Sequence, residues 1–137
     1  MKKFITYVLG LIVMAGLSGC NPYDVEEILI SREDVSLTIK GEPIFVYNDG
    51  TCQVAYNADR YECRAMTDDV TQYFIVKAHE RMTHAFQEFT ADLTYTYAGN
   101  VVSEKDLLFR IEKINNSTGL VWLWCKDSAI GVVVKLF

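Results

Sequence analysis

From Val35 onward apolar and polar residues alternate with a period of two, a spacing that fits half-buried β-strands and little else. Val35, Leu37 and Ile39 alternate with Ser36, Thr38 and Lys40, and Gly41-Glu42-Pro43 interrupts the run. Residues 44–47 are apolar on both faces, and residues 51–56 and 61–66 give two further strands. Asn48-Asp49-Gly50 predicts a hairpin turn, because glycine accepts the positive φ that such turns require. Thr67-Asp68-Asp69 reads as another turn ahead of a strand over residues 73–78. Residues 79–90 are ambiguous: Ala78, Met82, Phe86 and Phe89 recur at helical spacing, but the extended character from Phe86 onward favours a loop followed by a strand. Leu93, Tyr95 and Tyr97, then Leu107, Phe109 and Ile111, form two more apolar faces. Residues 121–125 and 130–137 predict a closing hairpin across Lys126-Asp127-Ser128-Ala129. About eight short strands with little room for helix predict an all-β fold, an antiparallel β-sandwich or small β-barrel.

The segment ahead of these strands has a different composition. Lys2 and Lys3 precede an apolar run, residues 4–17, that is too short to span a bilayer comfortably, and small residues lead into Cys20. Leu17-Ser18-Gly19-Cys20 resembles the lipobox of bacterial lipoproteins. That resemblance implies a signal peptide over residues 1–19, removed in the mature protein, and acylation of Cys20 as the new N-terminus. Residues 20–33 are acidic and mixed and predict a tether. Within it Asp24 and Glu27 can cap a short helical turn at Ile28-Leu29, or residues 28–30 can begin a strand. Acidic residues this close to the cysteine resemble the surface-export signal of Bacteroidetes lipoproteins, although Asn21-Pro22-Tyr23 intervene. Residues 34–137 then form one domain, of ordinary size for a single core. The expected address is the outer membrane, lipid-anchored, on its periplasmic or surface-exposed face.

The chain has 13 basic and 18 acidic residues. Loss of Lys2 and Lys3 with the signal leaves 11 basic residues against the same 18. Such an acidic domain excludes nucleic acid as a natural partner, since phosphates demand clustered Lys and Arg. Contact with the membrane is expected through the N-terminal lipid alone.

With Cys20 spent on lipid, Cys52, Cys63 and Cys125 remain in an oxidising compartment. Cys52–Cys63 is the most local pairing, across a tight turn near Asn57-Ala58-Asp59. Cys125 can instead meet either partner or stay a buried thiol, and sequence alone does not place the pairs. No C-x-x-C occurs and neither histidine is near a cysteine, so no metal site is expected.

Catalytic patterns are equally scarce. His79-Glu80-Arg81-Met82-Thr83-His84 departs from H-E-x-x-H, because its second histidine is five residues on and leaves the helical face shared by residues four apart. The simpler expectation is two solvated loop histidines. No G-x-S-x-G or glycine-rich phosphate loop is present. Asp68-Asp69 and Glu26-Glu27 read as solvated turn and tether residues. No cofactor is implied and no enzyme is expected.

The aromatic rows are the candidate binding surface. Trp122 and Trp124 share one strand face and Tyr95 and Tyr97 another. Exposed, they would bind sugar rings or a partner protein; buried, they are core. Asp127-Ser128-Ala129 resembles the three-residue O-glycosylation acceptor of exported Bacteroidetes proteins, with Ser128 as acceptor.

The body of the chain resembles small Bacteroidetes lipoproteins of unassigned function. The stretches that carry this are Thr51-Cys52-Gln53-Val54-Ala55-Tyr56-Asn57, Asp92-Leu93-Thr94-Tyr95-Thr96-Tyr97, Gly119-Leu120-Val121-Trp122-Leu123-Trp124, Ile130-Gly131-Val132-Val133-Val134 and residues 34–41. The resemblance implies location and an all-β architecture and transfers no functional residue. The function expected is a lipid-anchored, non-enzymatic binding or interaction module with a protein or glycan partner. The alternative is a lipocalin-like carrier of a small apolar ligand, for which an interior cavity of some hundreds of Å³ is needed. The closing hairpin from Trp122 through Lys126 loosely resembles lysozyme-inhibitor lipoproteins, but their Ser-Gly-x-x-Tyr loop is absent.

Overall fold

The computed structural model describes residues 26–137. Cys20, the signal of residues 1–19 and the first part of the tether lie outside the described residues. One short helix, α1 (Glu26–Ser31), precedes nine strands: β1 (Ser36–Ile39), β2 (Glu42–Val46), β3 (Cys52–Asn57), β4 (Glu62–Thr67), β5 (Tyr73–Ala78), β6 (Glu88–Tyr97), β7 (Asn100–Asn115), β8 (Leu120–Cys125) and β9 (Ile130–Lys135). They form a single antiparallel sheet in the order β2-β1-β9-β8-β7-β6-β5-β4-β3. The all-β antiparallel expectation holds, with one strand more than the turn signals indicated and one curled, half-barrel sheet rather than two separate ones.

Chain connectivity forces the curl. β2 and β3 occupy opposite edges of the sheet, yet only residues 47–51 join them. Laid flat, eight inter-strand spacings would part the edges by roughly 38 Å, while the chain from Val46 to Cys52 reaches at most about 21 Å. The sheet therefore rolls until its halves face one another. On the concave side Phe45 of β2 meets Phe74 of β5 edge to face, ring centroids 5.4 Å apart, and β9 lies against β3 and β4.

The turn expected at Asn48-Asp49-Gly50 forms, with Gly50 at φ +95 and the N–H groups of Thr51 and Cys52 donating to the Asn48 carbonyl. The hairpin does not. In an all-antiparallel sheet of nine strands the two edge strands point the same way, and a short loop can pair only strands that point opposite ways. Pairing of β1 with β9, Leu37 opposite Val132, carries β2 to the far edge.

β7 changes register against both of its neighbours. Its first part pairs with β6 and its last part with β8, and the register slips twice: opposite Ala91-Asp92-Leu93 and opposite Trp122-Leu123. Bulges of this kind add twist where a sheet must turn a corner. The β6–β7 turn is tight, with Tyr97 paired to Asn100 and both Ala98 and Gly99 at positive φ, the geometry that matches strand twist.

All six residues of β8 are buried. Both faces of this strand are thus core, Trp122 and Trp124 included, and α1 is the reason. Leu29 is buried and packs over Gly131, and the Trp122 indole N–H donates to the Arg32 carbonyl at 2.9 Å. The segment expected as a tether over residues 20–33 therefore includes, from Glu26, a helix docked on the convex side of β8 and β9.

Candidate functional site

The register separates the cysteines proposed to pair. Cys52 stands opposite Thr67 and Cys63 opposite Tyr56, so the two thiols share a face but lie four residues out of step. That offset is about 13 Å along a strand, well past the ~7 Å Cα separation a disulfide tolerates. The β3–β4 ladder closes around residues 59–60, two positions later than a 52–63 pairing requires. Cys52, Cys63 and Cys125 are all free thiols.

The tryptophans are no open surface either. Trp122 is 2 % exposed and Trp124 8 %; α1 and the Lys113 ammonium, 4.6 Å from the Trp122 ring centroid, cover that face. Tyr95 and Tyr97 lie on the opposite, concave side, since Tyr95 pairs with Phe74 in the core register. The two rows do not converge. Tyr95 is buried, and Tyr97, half-exposed, reaches Glu42 through its hydroxyl at 3.4 Å. These two tyrosines line a hollow of about 250 Å³ with Ile39 and Ile44. Ser128 sits in the β8–β9 turn, partly exposed.

His79 is exposed, as a solvated loop histidine should be, but it has partners. It follows β5 with its Nδ1 2.8 Å from the Thr90 hydroxyl and its Nε2 3.1 Å from Asp92 Oδ1. Asp106 approaches Nδ1 at 3.7 Å and donates its backbone N–H to Asp92 at 3.0 Å. That N–H, followed by His79, holds the Asp92 carboxyl below the usual carboxylate range, while burial pushes the other way. The three side chains are ligand types grouped within 4.8 Å. Each carboxylate, however, makes its close approach to a different ring nitrogen, so an ion bonded to one nitrogen faces only one of them squarely. The cluster serves as a brace across the β6–β7 bulge, where Asp106 sits at φ +56. His84 pairs with the neighbouring Thr83 hydroxyl at 2.8 Å. Asp69 accepts from the hydroxyls of Thr67 and Thr71, which hold its carboxyl low and tie the β4–β5 turn.

The larger feature is a cleft of about 550 Å³ at one mouth of the half-barrel. Tyr56 and Tyr61 from the β3–β4 hairpin, Met82 from the loop after β5, Ile114 from the end of β7 and Phe137 enclose it, with Arg81 at the rim. Its size falls in the ~300–1,000 Å³ range of ligand pockets, which the hollow beside Tyr95 and Tyr97 does not reach. The loop that carries Arg81 and Met82 is held by one side chain. Gln87 Oε1 accepts from the Thr83 N–H at 2.7 Å and the Thr83 hydroxyl at 3.1 Å, and its Nε2 donates to the Arg81 carbonyl at 2.8 Å. Met82 is buried and anchors the loop to the core. Tyr61 is held at φ +52, a left-handed conformation that a bulky residue adopts only under constraint. Burial chiefly, then the nearby Cys63, push the Tyr56 phenol up, with Arg81 opposing. Tyr56 thus stays a protonated donor at neutral pH.

None of the cleft residues was marked by the sequence patterns. Tyr56 and Tyr61, Met82, and Phe137 come from three distant segments, and only the curl of the sheet assembles them. Comparison of the chain with protein-family models, with curated proteins and with solved structures finds no match.

Proposed function

We propose that this protein is a non-enzymatic binding module, anchored to the cell envelope through Cys20, that takes a small ligand in the mouth cleft. The carrying observation is the cleft itself: about 550 Å³, floored by aromatic and aliphatic side chains and open to one side. The Leu17-Ser18-Gly19-Cys20 lipobox supports the anchored, outer-membrane address. The non-enzymatic reading is supported by a lining without an aspartate, glutamate, histidine or cysteine side chain. General acid–base and nucleophilic catalysis draw mainly on those groups, poised near neutral pH. With both tryptophans covered, the aromatic-row surface gives way to this cleft, which opens to solvent and is not the interior cavity that the carrier reading requires.

The test combines address and occupancy. Metabolic labelling with an alkyne fatty acid should tag the native protein and not Cys20→Ser. Native protein extracted from membranes and analysed by mass spectrometry under non-denaturing conditions should carry a small molecule that Met82→Arg, placed inside the cleft, does not retain. Absence of acyl mass removes the anchor, and identical small-molecule content in both proteins removes the cleft.

A further inference from the structure

We infer that the cleft selects ligands with an apolar body and a single anionic end, of the carboxylate class, with the anion seated between the Arg81 guanidinium and the Tyr56 hydroxyl. This inference rests on the binding reading above and specifies the ligand chemistry of that same site.

Three observations converge on it. First, the lining offers both apolar and polar groups. Tyr56, Tyr61, Met82, Ile114, Leu136 and Phe137 present rings and aliphatic carbon, Thr83 and Asn116 are polar, and Arg81 is the only charged side chain in the lining. Second, that charge is uncommitted: among the described residues no carboxylate lies within salt-bridge distance of Arg81. The nearest candidate in sequence, Glu80, is instead turned to the Gln87 side-chain amide at 3.4 Å. Among the described residues neither the Tyr56 nor the Tyr61 hydroxyl hydrogen-bonds to another protein group. The half-buried Tyr56 phenol feels the Arg81 charge and remains a donor. Third, the backbone that carries these groups is held before any ligand arrives. Gln87 fixes the Arg81 backbone, Met82 pins the same loop, and the Tyr61 carbonyl accepts from the Ala78 N–H at 3.0 Å, locking the second tyrosine's turn to β5. A fixed backbone spares a ligand part of the ordering cost that a flexible loop imposes.

Guanidinium and phenol together suit a carboxylate, which accepts two charge-assisted hydrogen bonds through its two oxygens. The chain's overall acidity argues against a polyanion, which surrounding carboxylates would repel, and leaves room for a single charge at one cation. The volume holds a chain or ring system of drug-like size.

The experiment compares octanoate with octanamide, which share length and shape and differ in charge. The full acylated chain in vesicles is titrated calorimetrically with each, against vesicles alone. Octanoate should bind about tenfold more tightly than octanamide, the scale of one charge-assisted contact. Arg81→Gln should bring the two affinities together, octanoate losing far more than octanamide. Tyr56→Phe should reduce the preference in part. If neither compound binds, the cleft reading and this inference fall together. If both bind the wild-type protein equally, the cleft stands and the anion preference is overturned. A preference that survives in Arg81→Gln overturns the assignment of that residue. Circular dichroism of each variant should match wild type, since Arg81 is exposed and Tyr56 only half-buried.

Discussion

Gly119 stands at φ +79, and a Cβ built there would lie 2.5 Å from the Phe137 carbonyl oxygen. Its own carbonyl accepts from the Leu136 N–H at 2.9 Å, so the turn before β8 grips the last residues at the rim of the cleft. Gly119→Ala brings both a left-handed penalty of about 1–2 kcal/mol and a steric clash. A clear fall in the urea midpoint is expected; an unchanged midpoint would show that the turn yields freely. Cysteine chemistry gives a second measurement. Burial pushes the Cys63 thiol up to about 12, and Cys125 is buried as well, whereas Cys52 is partly exposed. Iodoacetamide at pH 8 should modify Cys52 first and reach the other two only on unfolding, with no reductant needed. Asp92 sets the acid response. A carboxyl held below its unfolded value contributes stability that is whole above about pH 4 and lost as pH falls through the lower folded value. Stability should therefore drop as pH falls below about 4, and Asp92→Asn should flatten that drop in part, Asp69 retaining its own share.

α1 is short, yet it decides the fate of β8. By itself a six-residue helix is not stable in water; docking on the convex sheet face supplies what propensity does not. The indole N–H of Trp122 and the Arg32 carbonyl satisfy one another. Trp122→Phe keeps most of the apolar area but strands that carbonyl, a loss of about 1–3 kcal/mol. Trp122→Ala should lose about 3–5 kcal/mol. Chemical denaturation separates the two, and equal losses would mean that the hydrogen bond contributes nothing. Deleting residues 26–33 should make the tryptophan emission quenchable by acrylamide, which barely reaches it in the intact protein. β7 is the other element whose neighbours define it. Its charged stretch Ser103-Glu104-Lys105-Asp106 conceals a continuous strand, because the bulge turns those residues outward and the Asp92–His79 brace holds them there.

Closure of the whole sheet depends on β1, whose Ile39 pairs with Ile130 near the other end of the chain. The meander from β3 to β9 consists of sequence neighbours and can grow locally. The β1–β9 ladder must first pay for a long loop. Folding in milliseconds to seconds is the expectation for so non-local a β topology. Leu37, fully buried on β1, should reveal the order of events. Leu37→Ala, a loss of about 2–5 kcal/mol, should speed unfolding and leave the folding rate nearly unchanged, as for contacts made after the transition state. A matching decrease in folding rate would place β1 in the nucleus instead.

Strand positions were legible in the sequence because side-chain alternation is a local property: Val35-Leu37-Ile39 or Leu93-Tyr95-Tyr97 announces a buried face without reference to any partner. Turns at Asn48-Asp49-Gly50 and Thr67-Asp68-Asp69 were legible for the same reason. What a strand pairs with is not local. The same Asn48 turn that reads as a hairpin joins opposite edges of the sheet, Cys52 and Cys63 miss one another by four residues of register, and two tryptophans that could have faced solvent lie beneath a helix read as a tether. The cleft was the least legible of all, since Tyr56, Tyr61, Arg81, Met82 and Phe137 share no spacing. The sequence by itself determined an all-β chain. Only the tertiary structure decided which surfaces stayed open, because burial and proximity are set by the curl that a five-residue link imposes on nine strands.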